Sequence, residues 1–434
     1  MKKLLKKLFP RFIFNIYHYL IANLAAYYYG HPSKKMTVIG ITGTNGKSTT
    51  VVMLGKILEE TGFKVGYATT INFKVADQEW LNDQKMTMLG RFKLQKLLYQ
   101  MVQADCQYAV IETSSEGIKQ YRHLGIDYDV LVFTNLTPEH IESHGSFDNY
   151  KNAKLKIFKR LASADKKNKK IVANIDDQHA ADFLNFKVTD KIGFSTKTAE
   201  NKIANKVYQA EEIKLTAIGS EFKINNQVFA LNLLGKVHIY NALAAISAAN
   251  SLGVDLDSAA KALRKIKSIP GRAEFIDEGQ NFKVLVDYAP EPEALKHLYQ
   301  SLDDIKYERL IHILGSCGGG RDKGRQPILG QMAATKADTI IITNEDPYDD
   351  DPMIIINNVA RGAEKVAQLT GKTVYKIIDR REAIAKALAI AKPNDLVLIT
   401  GKGSEQDMCI ASGKKIPWDD RQAMREELKK TLQN

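Results

Sequence analysis

The chain has 434 residues, 44 % of them apolar and 26 % charged, the profile of a globular protein of two or three domains rather than a disordered or fibrous chain. Its 62 Lys+Arg against 50 Asp+Glu leave +12, yet no basic block is dense enough to form a nucleic-acid-binding arm. A moderately basic surface suits polyanionic partners such as nucleotides, or an anionic membrane face. Three widely spaced cysteines (Cys106, Cys317, Cys409) form neither a metal pattern nor a disulfide framework, which points to a reducing cytoplasm.

In chain order the first element is an amphipathic segment. Apolar pairs recur every four residues from Leu4 to Ala25, with Lys2, Lys3, Lys6, Lys7 and Arg11 between them. Asn15, His18 and Asn23 interrupt the apolar run, which excludes a transmembrane span, and no small-residue cleavage site marks a secretory signal. A helix packed on its own protein is expected over residues 1–34. A peripheral contact of residues 1–28 with the inner face of the cell membrane is the alternative.

From Met36, the run Thr-Val-Ile-Gly-Ile-Thr predicts a strand entering a glycine-rich turn and then a helix, Thr49 to Thr61. Strands are expected at Tyr108–Ile111, Val130–Thr134 and Ile171–Asn174, with helical patterns between, the signature of a parallel α/β sheet. Lys206–Leu233 alternates in short runs and predicts an antiparallel excursion. Helices Tyr240–Leu252 and Ser258–Ile266 follow. A second α/β series then has strands at Val284–Val286, Leu310–Leu314, Thr339–Thr343, Val374–Ile378 and Leu396–Ile399, with helices at Met353–Leu369 and Glu382–Ala391. The expected architecture is a central P-loop ATPase domain with a parallel sheet, residues 35–268, and a C-terminal Rossmann-like α/β domain, residues 269–434.

Gly43-Thr44-Asn45-Gly46-Lys47-Ser48-Thr49 sits between strand and helix, the context a phosphate-binding loop requires. Glycines let backbone N–H groups face phosphate oxygens at a helix N-terminus that already favours an anion. Lys47 would reach the β- and γ-phosphates, and the Ser48 hydroxyl would hold Mg²⁺. Ile41 stands where a strict Walker A loop has its first glycine, so this is a shortened relative of that motif.

With Gly40-Ile41-Thr42 before it, the loop resembles the ATP loop of the Mur ligase family. Further segments resemble the same family in the same order: Glu112-Thr113-Ser114-Ser115, Thr134 to His140, His144-Gly145 with Tyr150 and Ala153-Lys154, and Gly235 to Asn241. Later come Pro270-Gly271-Arg272, Asp287-Tyr288-Ala289, Gly318 to Gly324, and Gly401-Lys402-Gly403-Ser404-Glu405. They run from about residue 28 to 421, and their order, more than any one of them, is most similar to the MurE type, the UDP-N-acetylmuramoyl-tripeptide synthetases.

The resemblance implies an ADP-forming ligase that activates a carboxylate as an acyl phosphate and couples an amine to it. It implies Glu112 as a Mg²⁺ ligand, His140 as the holder of a second metal ion, and Lys154 as a lysine that becomes a carbamate ligand. Asn241 would contact adenine, with His238 where another Asn is usual, while Arg272 and Asp287 would approach ATP. Thr87, Ser114 and Arg122 fall at positions for a nucleotide-sugar peptide. Arg321, Gly401 and Glu405 would hold the amino acid's common groups. Asp346 lies in Glu345-Asp346-Pro347-Tyr348, where relatives using diaminopimelate have Asp-Asn-Pro-Arg.

No arginine is present there to pair with a distal carboxylate. With Asp349, Asp350 and Asp351 following, a distal ammonium, as in lysine or ornithine, is the physically favoured match. The aspartates could also form the solvated start of a helix before Pro352. Relatives carry an N-terminal uridine-binding domain of roughly a hundred residues; here Tyr29 to Ser33 resembles only its end. A folylpolyglutamate- or cyanophycin-synthetase-like ligase, and a membrane-recruited P-loop ATPase switch, are the competing readings.

Overall fold

The computed structural model describes residues 11–139, 141–198 and 203–433. Two compact units emerge: Met1–Lys214 with Glu221–Leu231 and Val237–Ile266, and Lys267–Asn434 with Leu215–Ser220 and Asn232–Lys236.

The first unit is built on a nine-stranded sheet in the order β4-β3-β2-β5-β1-β6-β7-β8-β9. Its strands are β1 (Thr37–Thr42), β2 (Val65–Ala68), β3 (Asn72–Val75), β4 (Gln78–Leu81), β5 (Tyr108–Glu112), β6 (Val130–Phe133), β7 (Lys170–Asn174), β8 (Asp190–Ser195) and β9 (Lys206–Gln209). Strand β1 is buried along almost all its length, as expected of a parallel strand covered on both faces, hence the run Val38–Ile41 without a polar side chain. It pairs in parallel with β5 on one side and β6 on the other. The chain therefore leaves β1 where the strand order changes direction, the crevice in which open α/β sheets bind ligands.

The helices that frame this edge are α1 (Arg11–Tyr28), α2 (Lys47–Glu60), α3 (Arg91–Gln103), α4 (Ser115–Lys119), α5 (Phe147–Ser163) and α6 (Lys236–Ser251). Helix α2 begins at Lys47, two residues before the expected start. Its N-cap is Gly46 at φ +81, so the left-handed turn that aims the loop ends where the helix begins.

The start of the expected excursion differs. Lys206–Gln209 does not join the antiparallel excursion but extends the main sheet as β9, parallel to β8. The rest of that stretch forms a separate three-stranded sheet of β10 (Glu211–Thr216), β11 (Gly219–Ile224) and β12 (Gln227–Leu231). Asn225 and Asn226, both at positive φ, turn β11 into β12, the backbone a two-residue hairpin demands.

The second unit carries a six-stranded sheet, β13 (Glu274–Phe275), β14 (Lys283–Asp287), β18 (Leu396–Thr400), β15 (Leu310–Leu314), β16 (Thr339–Ile342) and β17 (Thr373–Lys376), in that spatial order. Only β13 runs antiparallel to its neighbour. Alternate residues feed two cores: Leu310, Leu314, Leu396 and Leu398 pack on one face, Ile311, Ile313, Val397 and Ile399 on the other. Both faces are covered by helices, among them α7 (Arg325–Lys336), α8 (Pro352–Thr370), α9 (Arg380–Ile390) and α10 (Asp420–Gln433). Strand β17 ends at Lys376, two residues short of the expected Ile378. A β19 (Asp407–Cys409) and β20 (Lys415–Pro417) hairpin completes the unit. Among the described residues, no helix is long and apolar enough to cross a membrane.

Candidate active site

The parallel register brings the chemistry together. Ile41, one residue before the end of β1, sits level with Glu112, the last residue of β5. The Ser48 hydroxyl donates to Glu112 Oε2 at 2.7 Å, and the Thr70 N–H donates to the same oxygen at 2.8 Å. Thr70 Oγ1 lies 3.1 Å from both carboxylate oxygens and donates to Thr87 Oγ1 at 3.0 Å. Ser48 and Glu112 are both buried. A hydroxyl and a carboxylate held this close are hard oxygen donors of the kind Mg²⁺ takes, beside a loop built for phosphates.

The loop itself is tied down from several sides. Thr134 Oγ1 donates to the Asn45 carbonyl at 2.7 Å, and the Asn45 N–H donates to Asn135 Oδ1 at 2.9 Å. Thr44 Oγ1 meets the Tyr150 hydroxyl at 3.1 Å. Two glycines are required by space as well as by φ. A Cβ on Gly43 would fall 1.9 Å from Thr134 Oγ1, and one on Gly46 2.1 Å from Asn241 Oδ1. Asn241, buried on α6, therefore lies against the loop's last turn, and Thr49 follows in the first turn of α2. His238 is buried one turn earlier.

Two lysines serve the loop. Lys47 Nζ donates to the Thr44 carbonyl at 2.7 Å, and Lys154 Nζ donates to the Gly43 carbonyl at 2.7 Å. Lys154 is buried, its ammonium 4.7 Å from the centre of the Tyr150 ring. Burial and then the charge of Lys47 push its pKa well below the ordinary lysine range, against the opposing pull of Glu139 and Glu112. The amine is thereby biased toward its neutral, nucleophilic form. His140 lies outside the described residues.

Ser114 caps α4, its hydroxyl accepting from the Gly117 N–H at 3.1 Å. Arg122 donates to the Met88 carbonyl and, at 2.8 Å, to Gln120 Oε1. Thr87 and Arg122 thus line the same edge of the sheet, linked through Met88 and Thr70.

In the second unit, the Arg272 guanidinium stacks 4.5 Å over Tyr288. Both Asp287 oxygens accept backbone N–H groups, from Ala273 at 2.7 Å and Ala289 at 2.8 Å. Asp287 and Arg272 therefore shape the turns next to them. Burial raises the pKa of Asp287, and Arg272 opposes the shift.

Sequence reasoning missed the hub of this unit. Lys402, fully buried, donates to Asp346 Oδ1 at 3.1 Å, to Glu405 Oε2 at 2.6 Å and to the Asp407 carbonyl at 2.6 Å. Asp346 also accepts the Cys409 N–H at 2.7 Å. Lys402 stands inside Gly401-Lys402-Gly403, and a lysine between two glycines at a strand end was the available signal. Gly401, at φ +112, has no room for a Cβ, which would fall 2.3 Å from Glu345 Oε2. Cys317 Sγ donates to Glu345 Oε1 at 2.8 Å. Arg321 is exposed on the glycine-rich loop that follows β15.

The acidic run after Tyr348 is built into the backbone. Asp349 accepts from the Ser412 N–H at 2.8 Å, Asp350 from the Gly319 N–H at 2.7 Å, and Asp351 caps α8 through the Met353 N–H at 2.8 Å. These carboxylates keep their negative field but act first as scaffolding, and the helix-start reading holds for Asp351.

A glycine loop at the sheet's switch point, beside a buried hydroxyl–carboxylate pair and two lysines, defines the first unit as a P-loop domain for a nucleoside triphosphate. Residues 41–249 match the Mur ligase middle domain, and residues 271–403 match the Mur ligase glutamate ligase domain. The chain is 36 % identical over 421 residues to a UDP-N-acetylmuramyl-tripeptide synthetase of Roseiflexus sp., covering 94 % of this chain and 81 % of that one. It is 36 % identical over 414 residues to a UDP-N-acetylmuramoyl-L-alanyl-D-glutamate–2,6-diaminopimelate ligase of Syntrophomonas wolfei, with the same coverage. A solved structure of a ligase of that second name superposes with a TM-score of 0.61 at 28 % identity, over 92 % of this chain and 79 % of the other. The chain belongs to the Mur ligase family, ATP-dependent enzymes that form amide bonds in peptidoglycan synthesis.

Proposed function

We propose that the chain couples a diamino acid to the free glutamate carboxylate of UDP-MurNAc-L-Ala-D-Glu, cleaving ATP to ADP and phosphate, in the cytoplasm. The observation that carries this reading is the Ser48–Glu112 pair held at the mouth of the phosphate loop. Ser48 and Glu112 would hold Mg²⁺, which offsets the charge gathered on phosphate oxygens in phosphoryl transfer. Lys47 exchanges the Thr44 carbonyl for the γ-phosphate, where its charge is needed as the phosphoryl group moves to the acceptor carboxylate. Lys154 would serve the same cluster as its carbamate, formed when the neutral amine adds to CO₂ and releases a proton, and His140 would serve a second ion. The amine then attacks the acyl carbon, forming the amide bond as the C–O bond to phosphate breaks, the nitrogen gives up a proton and free phosphate departs.

Asn241 would meet adenine, and Arg272 and Asp287 would approach ATP. Thr87, Ser114 and Arg122 would face the acceptor. Arg321, Gly401 and Glu405, with Asp346, would order the incoming amino acid. Tyr348, at the place of an arginine in diaminopimelate users, offers no guanidinium to a distal carboxylate. This favours lysine or ornithine, as does the field of Asp349, Asp350 and Asp351.

A phosphate-release screen of amino acids with UDP-MurNAc-L-Ala-D-Glu tests the reading. Release that requires both substrates, is highest with lysine or ornithine, and vanishes in Lys47→Ala is expected. Phosphate release indifferent to acceptor and amine would remove it.

A further inference from the structure

Helix α1 is packed with its sides reversed. Ala22, Ala25 and Ala26 are buried, whereas Ile16, Leu20, Leu24, Tyr27 and Tyr28 are each more than half exposed. The C-terminal half of the inward face must be small because the backbone beneath comes close: a Cβ on Gly125 would lie 2.6 Å from the Ala26 Cβ, while Phe14 and Ile21 are half-buried. Nothing of that kind requires the outward face to be large. A helix that served only its own core would turn its leucines inward, since each fully buried one contributes about 2 kcal/mol.

The exposed face continues onto α3. Rings of Tyr28 and Phe92 lie 6.3 Å apart, and those of Tyr29 and Tyr99 5.8 Å apart, with Phe92 and Tyr99 both exposed. Lys93 and Lys96 of α3 are exposed beside them, and Lys34 and Lys35 follow α1 at the surface. Neither helix contains a single Asp or Glu, the sequence just ahead of α1 supplies Lys2, Lys3, Lys6 and Lys7, and α1 itself opens on Arg11.

We infer that the outer faces of α1 and α3 form one docking surface for an anionic phospholipid bilayer, with α1 lying in the plane of the interface. The chemistry selects this occupant. Aliphatic side chains enter the acyl boundary, tyrosines settle at the headgroup level, and lysines meet lipid phosphates. A protein partner would give no reason for two adjoining helices to lack every carboxylate. The surface is independent of which acceptor the ligase site uses.

The test is flotation of the full-length protein with phosphatidylglycerol/phosphatidylethanolamine vesicles and with phosphatidylcholine vesicles. The triple variant Ile16→Asp, Leu20→Asp, Leu24→Asp and the double variant Lys93→Glu, Lys96→Glu are compared with Lys261→Glu, a charge reversal elsewhere. Far-UV circular dichroism and ATP turnover serve as folding controls. The wild type and Lys261→Glu are expected to float with the anionic vesicles and to be released by salt. The triple variant should stay at the bottom, and the lysine double variant should bind about tenfold or more weakly. Equal binding to both vesicle types, or undiminished binding of the triple variant, overturns the proposal. So does a wild-type dimer, seen by sedimentation velocity without vesicle binding, that the triple variant dissolves; the face would then belong to a second copy. Flotation needs no turnover, so its failure is distinct from failure of the ligase reading.

Discussion

Substituting Gly46→Ala separates two costs that the structure locates at one atom. A left-handed backbone at φ +81 costs a non-glycine residue about 1–2 kcal/mol. The new Cβ also falls 2.1 Å from Asn241 Oδ1, so the amide must leave its rotamer at about 0.5–1.5 kcal/mol. Together these amount to about 1.5–3.5 kcal/mol, on the order of 10- to 300-fold in any equilibrium that needs the native loop. Titration with a fluorescent ATP analogue should show weakening of that order, with a lowered Tm. Adding Asn241→Ala removes the obstructing amide but not the backbone strain, so the double variant should recover part of the lost Tm. Nucleotide affinity in Gly46→Ala within twofold of wild type, or a double variant no more stable than Gly46→Ala, would refute the reasoning.

Lys402→Met leaves the buried carboxylate of Asp346 and the half-buried one of Glu405 without their shared cation, and urea unfolding should show a loss of about 3–5 kcal/mol, carried mainly by Asp346. A loss under 1 kcal/mol would mean that Lys402 does not hold them. Glu112→Gln keeps the hydrogen-bond geometry toward Ser48 and Thr70 but removes the charge, so the divalent-ion concentration for half-maximal ADP formation should rise at least about tenfold; an unchanged midpoint would count against metal binding there. For Lys154, the folded protein releases the proton at a lower pH than the unfolded chain, whose lysine titrates near about 10.4. The unfolded state binds more protons in that window, so this residue makes stability rise with pH until the ordinary lysine value is passed. Tm of Lys154→Met should rise less steeply across the window than that of the wild type, and parallel curves would be the contrary result.

What could be read from the chain was whatever local physics determines. The strand-like run Thr37–Thr42, the glycines after it and the two successive α/β series follow from periodicity and turn chemistry, and the family resemblance from the order of short motifs. What escaped depends on pairing at a distance. Thr70 carries no motif, yet the placement of β2 beside β5 sets its N–H on Glu112. Lys206–Gln209 reads like any short polar strand, and only the free edge of β8 makes it part of the main sheet. Charge counting around Asp349–Asp351 likewise predicts a recognition surface, because the backbone N–H groups that donate to those carboxylates come from residues 319, 353 and 412, out of sight of the local sequence.

That acidic run has a practical meaning for anyone wishing to retune the enzyme. Exchanging its aspartates would first unfasten a glycine loop, a hairpin corner and a helix start, and any change in amine preference would be confounded with collapse of the local framework. Among the described residues the Tyr348 side chain carries none of these carboxylate tethers, though its ring lies against Gly319 and its backbone stands at φ +54, so it is the first position at which to vary the chemistry with that packing kept in view.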